Sequence, residues 1–244
     1  MDLALKGRRA LVTAASSGIG KACAAALVRE GAHVFICART ADALATAGRE
    51  IGAKGWLATE VTSGTEIERL VEGARNELSG LDILVTNAPD PRPGGFGDTP
   101  DASFDGEHEA VLLSVVRLIR LTRPLLIESP AARIVNISST AAHELLPGRL
   151  FSATYRGALA AFAKHLSVEL APYDVTVNNI APGNTLTSAW DEDSARRAAE
   201  SVPLRRLGNA DEVGALCAYL CSSQAAYITG QTLVIDGGMS RTIW

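Results

Sequence analysis

Positive charge is in short supply in this chain. Lys and Arg number 23 against 27 Asp and Glu, for a net charge of −4. No basic footprint is left for a nucleic-acid partner. Long apolar runs are missing too. Nothing approaches the ~18 residues of a membrane span. Lys6, Arg8 and Arg9 break up the N-terminus before a signal-like core can form. Metal-ligating residues are sparse, with four His and four Cys. Cys23, Cys37, Cys217 and Cys221 fall inside expected helices and a strand, none at metal-site spacing. Cys217 and Cys221 share a helix face and read as small core residues. Such thiols point to a reducing, cytoplasmic setting. Linkers, repeats and low-complexity tracts are absent as well. The 244 residues, 47% of them apolar, therefore suit one domain, 1–244, with a large core.

What is present is organised around Arg9 to Gly31. Ala10 to Thr13 is a short apolar run. Ala14-Ala15-Ser16-Ser17-Gly18-Ile19-Gly20 is a turn, and Lys21 to Glu30 has helical spacing. Such a turn aims backbone N–H groups and the positive end of a helix at one point, which suits a pyrophosphate. Further strand-like runs recur at His33 to Ala38, Gly55 to Ala58, Asp82 to Asn87, Arg133 to Ser138, Val175 to Ile180 and Thr232 to Ile235. Most are continuous and rich in Val and Ile, as in strands buried on both faces of a parallel sheet. Helical patterns lie between them at Ala41 to Ile51, Thr65 to Leu78, Phe104 to Leu126, Ser152 to Ala171 and Asp211 to Ser222. This alternation implies an α/β fold with a doubly wound parallel sheet of about seven strands. Two long connections, Pro89 to Pro100 and Thr185 to Gly208, fall where ligands bind in such sheets, and at least one suits a lid.

Arg39 stands nineteen residues past Gly20. A dinucleotide site places its ribose-reading group about 20 residues past the turn. A cation there favours a 2′-phosphate, which a guanidinium grips bidentately. The spacing favours NADP(H) over NAD(H), against the plainer reading of Arg39 as a solvated strand-end charge.

Several motifs occur together: Thr13…Ser16-Ser17-Gly18-Ile19-Gly20; Thr86-Asn87-Ala88; Asn136-Ile137-Ser138-Ser139; Glu169-Leu170-Ala171-Pro172-Tyr173; Pro182-Gly183 with Thr187; and Tyr227-Ile228-Thr229-Gly230 with Asp236-Gly237-Gly238. With them the chain resembles the short-chain dehydrogenase/reductase family along nearly its whole length, most of all its 3-oxoacyl-acyl-carrier-protein reductase branch. The resemblance implies a single dinucleotide-binding Rossmann domain and an NAD(P)-dependent oxidoreductase acting on a small carbonyl or alcohol. It implies Glu60 and Val61 beside the adenine, Asn87 and Ala88 beside the adenosine ribose, and Pro182, Gly183, Thr185 and Thr187 beside the nicotinamide. It also implies a homodimer or homotetramer.

The family's catalytic Asn, Ser, Tyr and Lys do not all carry over. Their positions fall on Val111, Ser139, Ser152 and Arg156, with Ser139 thirteen residues before Ser152 as the family has it. Ala14 replaces the first turn glycine, Pro89 replaces a glycine after Asn-Ala, and Glu60 replaces an Asp. These changes have chemical weight. A phenol with pKa near 10, lowered by a cation, donates a proton at neutral pH. A serine hydroxyl is a far weaker acid, and losing a general acid costs about 10²- to 10⁴-fold in rate. Arg156 can hold ribose hydroxyls but cannot relay a proton, because a guanidinium stays protonated. His143 and Tyr155 are the substitutes at hand, a loop imidazole and a helix aromatic. Ala14 strains the turn by about 1 kcal/mol if its φ is positive. Two other readings compete with the oxidoreductase. One is a nucleotide-binding protein without turnover, a sensor or partner subunit. The other is a lyase similar to halohydrin dehalogenases, against which Ser152 and the intact Ser17-Gly18-Ile19-Gly20 both speak.

Overall fold

The computed structural model describes residues 2–97, 99–188 and 190–242; Asp98 and Ala189, one in each long connection, lie outside the described residues. The strands are β1 (Arg9–Val12), β2 (His33–Ala38), β3 (Gly55–Ala58), β4 (Ile83–Thr86), β5 (Arg133–Ile137), β6 (Thr176–Pro182), β7 (Thr185–Leu186), β8 (Gly208–Asn209) and β9 (Thr232–Ile235). The α-helices are α1 (Gly18–Arg29), α2 (Ala41–Ile51), α3 (Gly64–Leu78), α4 (Asp101–His108), α5 (Ser114–Ile127), α6 (Leu150–Leu170), α7 (Glu192–Ser201) and α8 (Ala210–Cys221). Seven strands form one sheet in the order β3-β2-β1-β4-β5-β6-β9, every pair parallel. The doubly wound sheet expected from the alternation is therefore present. Its order reverses between β1 and β4, so a crevice opens beyond their C-terminal ends.

Successive strand residues point to opposite faces, and each face has its own core. Val12, Val34, Ile36 and Val85 pack with Cys23 and Leu27 of α1 and Cys217 and Leu220 of α8. Leu11, Leu84, Ile134 and Val177 pack with Ile67 and Leu70 of α3, Leu118 of α5 and Leu159 and Leu166 of α6. Helices α1 and α8 approach so closely that a Cβ at Gly214 would lie 2.6 Å from the Ala22 carbonyl oxygen. All four cysteines are free and buried. Among the described residues, no helix is long and apolar enough to cross a membrane.

Several elements shift by a few residues from their expected bounds, and three differences have clear physical content. Helix α1 begins at Gly18 rather than Lys21, because Ser17 is extended (φ −158°) and the glycine turn runs directly into the helix. The expected helix Phe104 to Leu126 is broken by a π turn, Glu109–Leu113, which takes one extra residue into its ring and keeps Val111 buried. The connection Thr185 to Gly208, read from sequence as part helical, holds a helix and also a short strand pair. β7 pairs with β8, and α7 starts from an N-cap in which Asp191 accepts the Ser194 N–H.

The two ends of the sheet are built differently. At the N-terminal end the Arg9 guanidinium grips Asp82 with two bonds, 2.9 and 2.7 Å. Ser129 Oγ donates a third, 2.7 Å. Burial opposes ionisation of Asp82, but these bonds and the Arg9 backbone N–H outweigh it and hold the carboxyl down at about 2. Near the C-terminal end a chain of buried side-chain bonds crosses four strands. Thr86 Oγ1 donates to Asn136, Asn136 to Asn179, and Asn179 to Thr232, at 2.6, 3.0 and 3.1 Å. This ladder joins β4, β5, β6 and β9 in one register under the crevice.

Candidate active site

The turn after β1 is held from both sides. Ala15 N–H donates to the Cys37 carbonyl at the end of β2, 2.9 Å away. Thr13 Oγ1 donates to the Asn87 carbonyl at 2.7 Å and accepts the Asn87 N–H at 2.8 Å. Asn87 Nδ2 donates to the Ala14 carbonyl at 3.2 Å. Gly20 sits against this arrangement, and a Cβ there would lie 2.3 Å from the Ala14 oxygen. Ala14 has φ +48°, so the substituted first glycine does occupy left-handed backbone, where a Cβ is strained. Burial pushes the Cys37 thiol up to about 12, against an opposing bond from the Ala14 N–H. That thiol is an inert part of the floor under the turn.

Two hollows meet along this edge. One, of about 380 Å³, is bordered by Ser16, Ser17, Gly18, Lys21 and Thr187. The second, of about 570 Å³, brings together Ile19, Asn87, Ala88, Ser139, Ser152, Arg156, Pro182, Gly183, Thr185 and Thr187. Thr187 lines both, so the two hollows adjoin at this residue. Most residues picked out by motif thus share one surface. Arg39 is exposed at the end of β2, with no hydrogen bond or ion pair among the described residues. It stands two residues past the carbonyl that holds the turn. Glu60 accepts the Thr62 N–H at 3.3 Å, so its carboxylate folds onto its own turn. Val61 is buried beside β2 in the second core.

At the reacting end, Ser139 Oγ accepts the Ala141 N–H at 3.2 Å, which leaves its own proton to donate. Ser152 is buried and lines the groove, and its hydroxyl makes no bond to a described residue. Arg156 lies one turn further along α6 and is 4% exposed. It donates to the Ile137 carbonyl, while its Nε and the neighbouring Ser138 Oγ have no partner among the described residues. Burial pulls the guanidinium down to about 10, opposed by the nearby charge of Asp90. It stays charged at neutral pH.

Two expected substitutes for the missing phenol are not brought to this place. The Tyr155 hydroxyl donates to the Phe104 carbonyl at 2.8 Å, away from the groove. Its ring stacks on Phe151, 6.3 Å between centroids. Burial, with Asp105 and Glu107, raises its pKa and makes it a weaker acid. His143 is exposed at the end of a short 3-10 turn and does not border the groove. Val111 is buried in the π turn.

Sequence reading missed Asp90, Arg149, Trp190 and Ser194, which complete the lining. Asp90 and Arg149 form an ion pair of 2.9 Å. Trp190 Nε1 donates to the Thr185 carbonyl at 2.9 Å and fixes the far wall. Their only signal was membership of the two long connections or of the stretch before α6.

The model of a family described as enoyl-(acyl carrier protein) reductase matches residues 13–240. Nodulation protein G of Rhizobium sp. is 36% identical over 97% of this chain and 98% of its own. The 3-oxoacyl-acyl-carrier-protein reductase FabG of Salmonella typhimurium is 35% identical over 97% and 99%. Among solved structures, L-sorbose reductase of Gluconobacter frateurii, determined with NADPH and L-sorbose, superposes with a TM-score of 0.95 at 29% identity, covering 100% of both chains.

Proposed function

This chain belongs to the short-chain dehydrogenase/reductase family and is an NAD(P)-dependent oxidoreductase of its 3-oxoacyl-acyl-carrier-protein reductase-like branch, and from that premise we propose how its altered active site works. The observation that carries the reading is the hollow that brings Ile19 of the glycine turn, Asn87 and Ala88 together with Ser139, Ser152 and Arg156. A bound nicotinamide nucleotide supplies or accepts the hydride. The turn fits such a group, because Gly20, whose Cβ would lie 2.3 Å from the Ala14 oxygen, lets the turn fold tightly into the start of α1. The backbone from Ser16 to Gly20, with Lys21, takes the pyrophosphate at the start of α1. Asn87 and Ala88 border the ribose, Glu60 and Val61 flank the adenine, and Pro182, Gly183, Thr185 and Thr187 hold the nicotinamide end. Arg39, exposed and without a partner among the described residues, receives a 2′-phosphate. This favours NADP(H) over NAD(H), and the L-sorbose reductase relative was itself solved with NADPH.

Ser139 donates its free proton to the substrate oxygen, and Ser152 offers a second donor one turn before Arg156. Arg156 holds the ribose hydroxyls and stabilises negative charge growing on that oxygen. The proton comes from water along the Ser152 hydroxyl, since no phenol or imidazole borders the larger hollow among the described residues. Removal of a true general acid makes the enzyme slow, by about 10²- to 10⁴-fold.

The chain forms one Rossmann domain in this reading. Exposed Val168 on α6 and Val234 on β9 support a homodimer or homotetramer, and four reduced, buried thiols support a cytoplasmic setting. Calorimetric titration tests the cofactor assignment. NADPH binds more tightly than NADH, and Arg39→Asp reverses the order; failure to bind either nucleotide contradicts the proposal. The second reading, nucleotide binding without turnover, is favoured by one observation, the apolar Val111 where a relay would need a polar group. Binding of NADPH with no oxidation by any carbonyl would establish that reading instead.

A further inference from the structure

Three charged side chains border the larger hollow among its described residues: Asp90, Arg149 and Arg156. Two are cations and one is an anion. Asp90 is taken by Arg149. Arg156 has no carboxylate within ion-pair distance among the described residues. It is buried, gives one hydrogen bond to a carbonyl, and keeps an unpartnered Nε. The reacting end is therefore one negative charge short. A guanidinium cannot discharge by losing its proton, so the deficit persists at any working pH.

The Asp90–Arg149 pair is of the kind that exchanges easily. Its side chains are 72% and 38% exposed, and such pairs contribute little. Yet Arg149 is well placed by its backbone. It is the N-cap of α6, two turns before Arg156 on the same helix. Its neighbours are tied to the β4–α4 connection, with Gly94 N–H on the Gly148 carbonyl at 2.9 Å and Leu150 N–H on the Gly94 carbonyl at 3.4 Å. A guanidinium held there presents a fork that matches a carboxylate.

We propose that the substrate is a carbonyl or alcohol compound carrying a carboxylate, and that Arg149 receives this carboxylate at the groove mouth by exchanging Asp90 for it. The inference rests on the oxidoreductase reading and adds the substrate class to it. Arg156 supplies attraction from the floor, and the two cations lining the larger hollow then face Asp90 and the substrate carboxylate.

Acetoacetate and its methyl ester, which differ in that one charge, are titrated calorimetrically into the protein with and without saturating NADPH. The acid binds about tenfold or more tighter than the ester. Arg149→Gln removes that preference and leaves the ester unchanged, whereas Asp90→Asn frees Arg149 and tightens the acid. A variant damaged in folding would weaken both ligands and NADPH together. Equal or weaker binding of the acid, binding of neither compound, or an Arg149→Gln protein that keeps the preference overturns the proposal. If NADPH is oxidised by neutral ketones alongside such a result, the oxidoreductase reading stands and only the substrate class falls. A preference for the acid in a protein that binds no nicotinamide nucleotide supports the anion site and sinks the oxidoreductase reading.

Discussion

Buried charge sits at both ends of this sheet, and the two ends treat it in opposite ways. At the N-terminal end Asp82 is met by Arg9 and Ser129, so its charge is matched and hydrogen-bonded. At the C-terminal end Arg156 is equally deep but has a single carbonyl for company, with Ser138 unsatisfied beside it. The first arrangement is complete in itself and belongs to the fold. The second leaves polar atoms unpaired among the described residues, as the proposed ligand site requires. Removing one partner from a satisfied buried pair is costly, whereas removing an unmatched buried charge relieves a desolvation cost. Substitutions at the two ends should therefore change stability with opposite signs.

The largest expected effect is at the turn. Gly20→Ala drives a methyl to within 2.3 Å of the Ala14 oxygen, and NADPH affinity in a fluorescence titration should drop by about 100-fold or more. The Arg9–Asp82 end is remote from this change and should be untouched. Asp82→Asn comes next. It breaks the matched pair and should cost about 3 kcal/mol, a fall of roughly 10 °C in melting temperature, with NADPH affinity unchanged. The same carboxyl predicts a pH dependence. It is held at about 2, below the 3.8 of an unperturbed Asp. Its contribution of about 2 kcal/mol is fully present above pH 4 and is lost as pH falls through 2. Acid denaturation of the wild type against Asp82→Asn measures that difference.

Arg156→Met should do the reverse of Asp82→Asn. Chemical denaturation should find it more stable than wild type by about 2 kcal/mol, while NADPH oxidation disappears. A loss of stability as large as that of Asp82→Asn would erase the distinction between the two ends. The smallest effect is at Ala14. Its φ of +48° means that Ala14→Gly should raise the urea midpoint by up to about 1 kcal/mol of stability, with NADPH binding kept.

The part of this account legible in the sequence was the part made by local chemistry. The apolar runs of β2, β3 and β9 matched the expected bounds to the residue, and in β2 Val34 to Ala38 are buried on both faces, which admits little but apolar residues. Ser16 to Gly20, Asn87 and Pro182 to Thr187 were picked out because glycine turns and strand ends are where such sheets take ligands, and most of them line the two hollows. The positive φ of Ala14 was posed by the sequence as a question that only backbone geometry answers. Asp90 and Arg149 were invisible because they lie 59 residues apart and meet only through the pairing of Gly94 with the start of α6. The π turn was also hidden, since the apolar spacing of Phe104 to Leu126 fits an unbroken helix. Tyr155 looked close to Ser152 on a helical wheel, yet its ring had a better partner in Phe151 and its hydroxyl in Phe104. The ladder from Thr86 to Thr232 depends on the register of four strands, which no single stretch specifies.

The most direct test is the rate of NADPH oxidation with a panel of small carbonyl compounds, wild type beside a Ser152→Tyr, Arg156→Lys, Val111→Asn triple variant. Wild type should turn over slowly but above an Arg39→Asp, Arg156→Ala control, and the triple variant should be faster by about 10²-fold or more. A wild-type rate no higher than the control on every carbonyl would contradict the claim that this groove still performs hydride transfer.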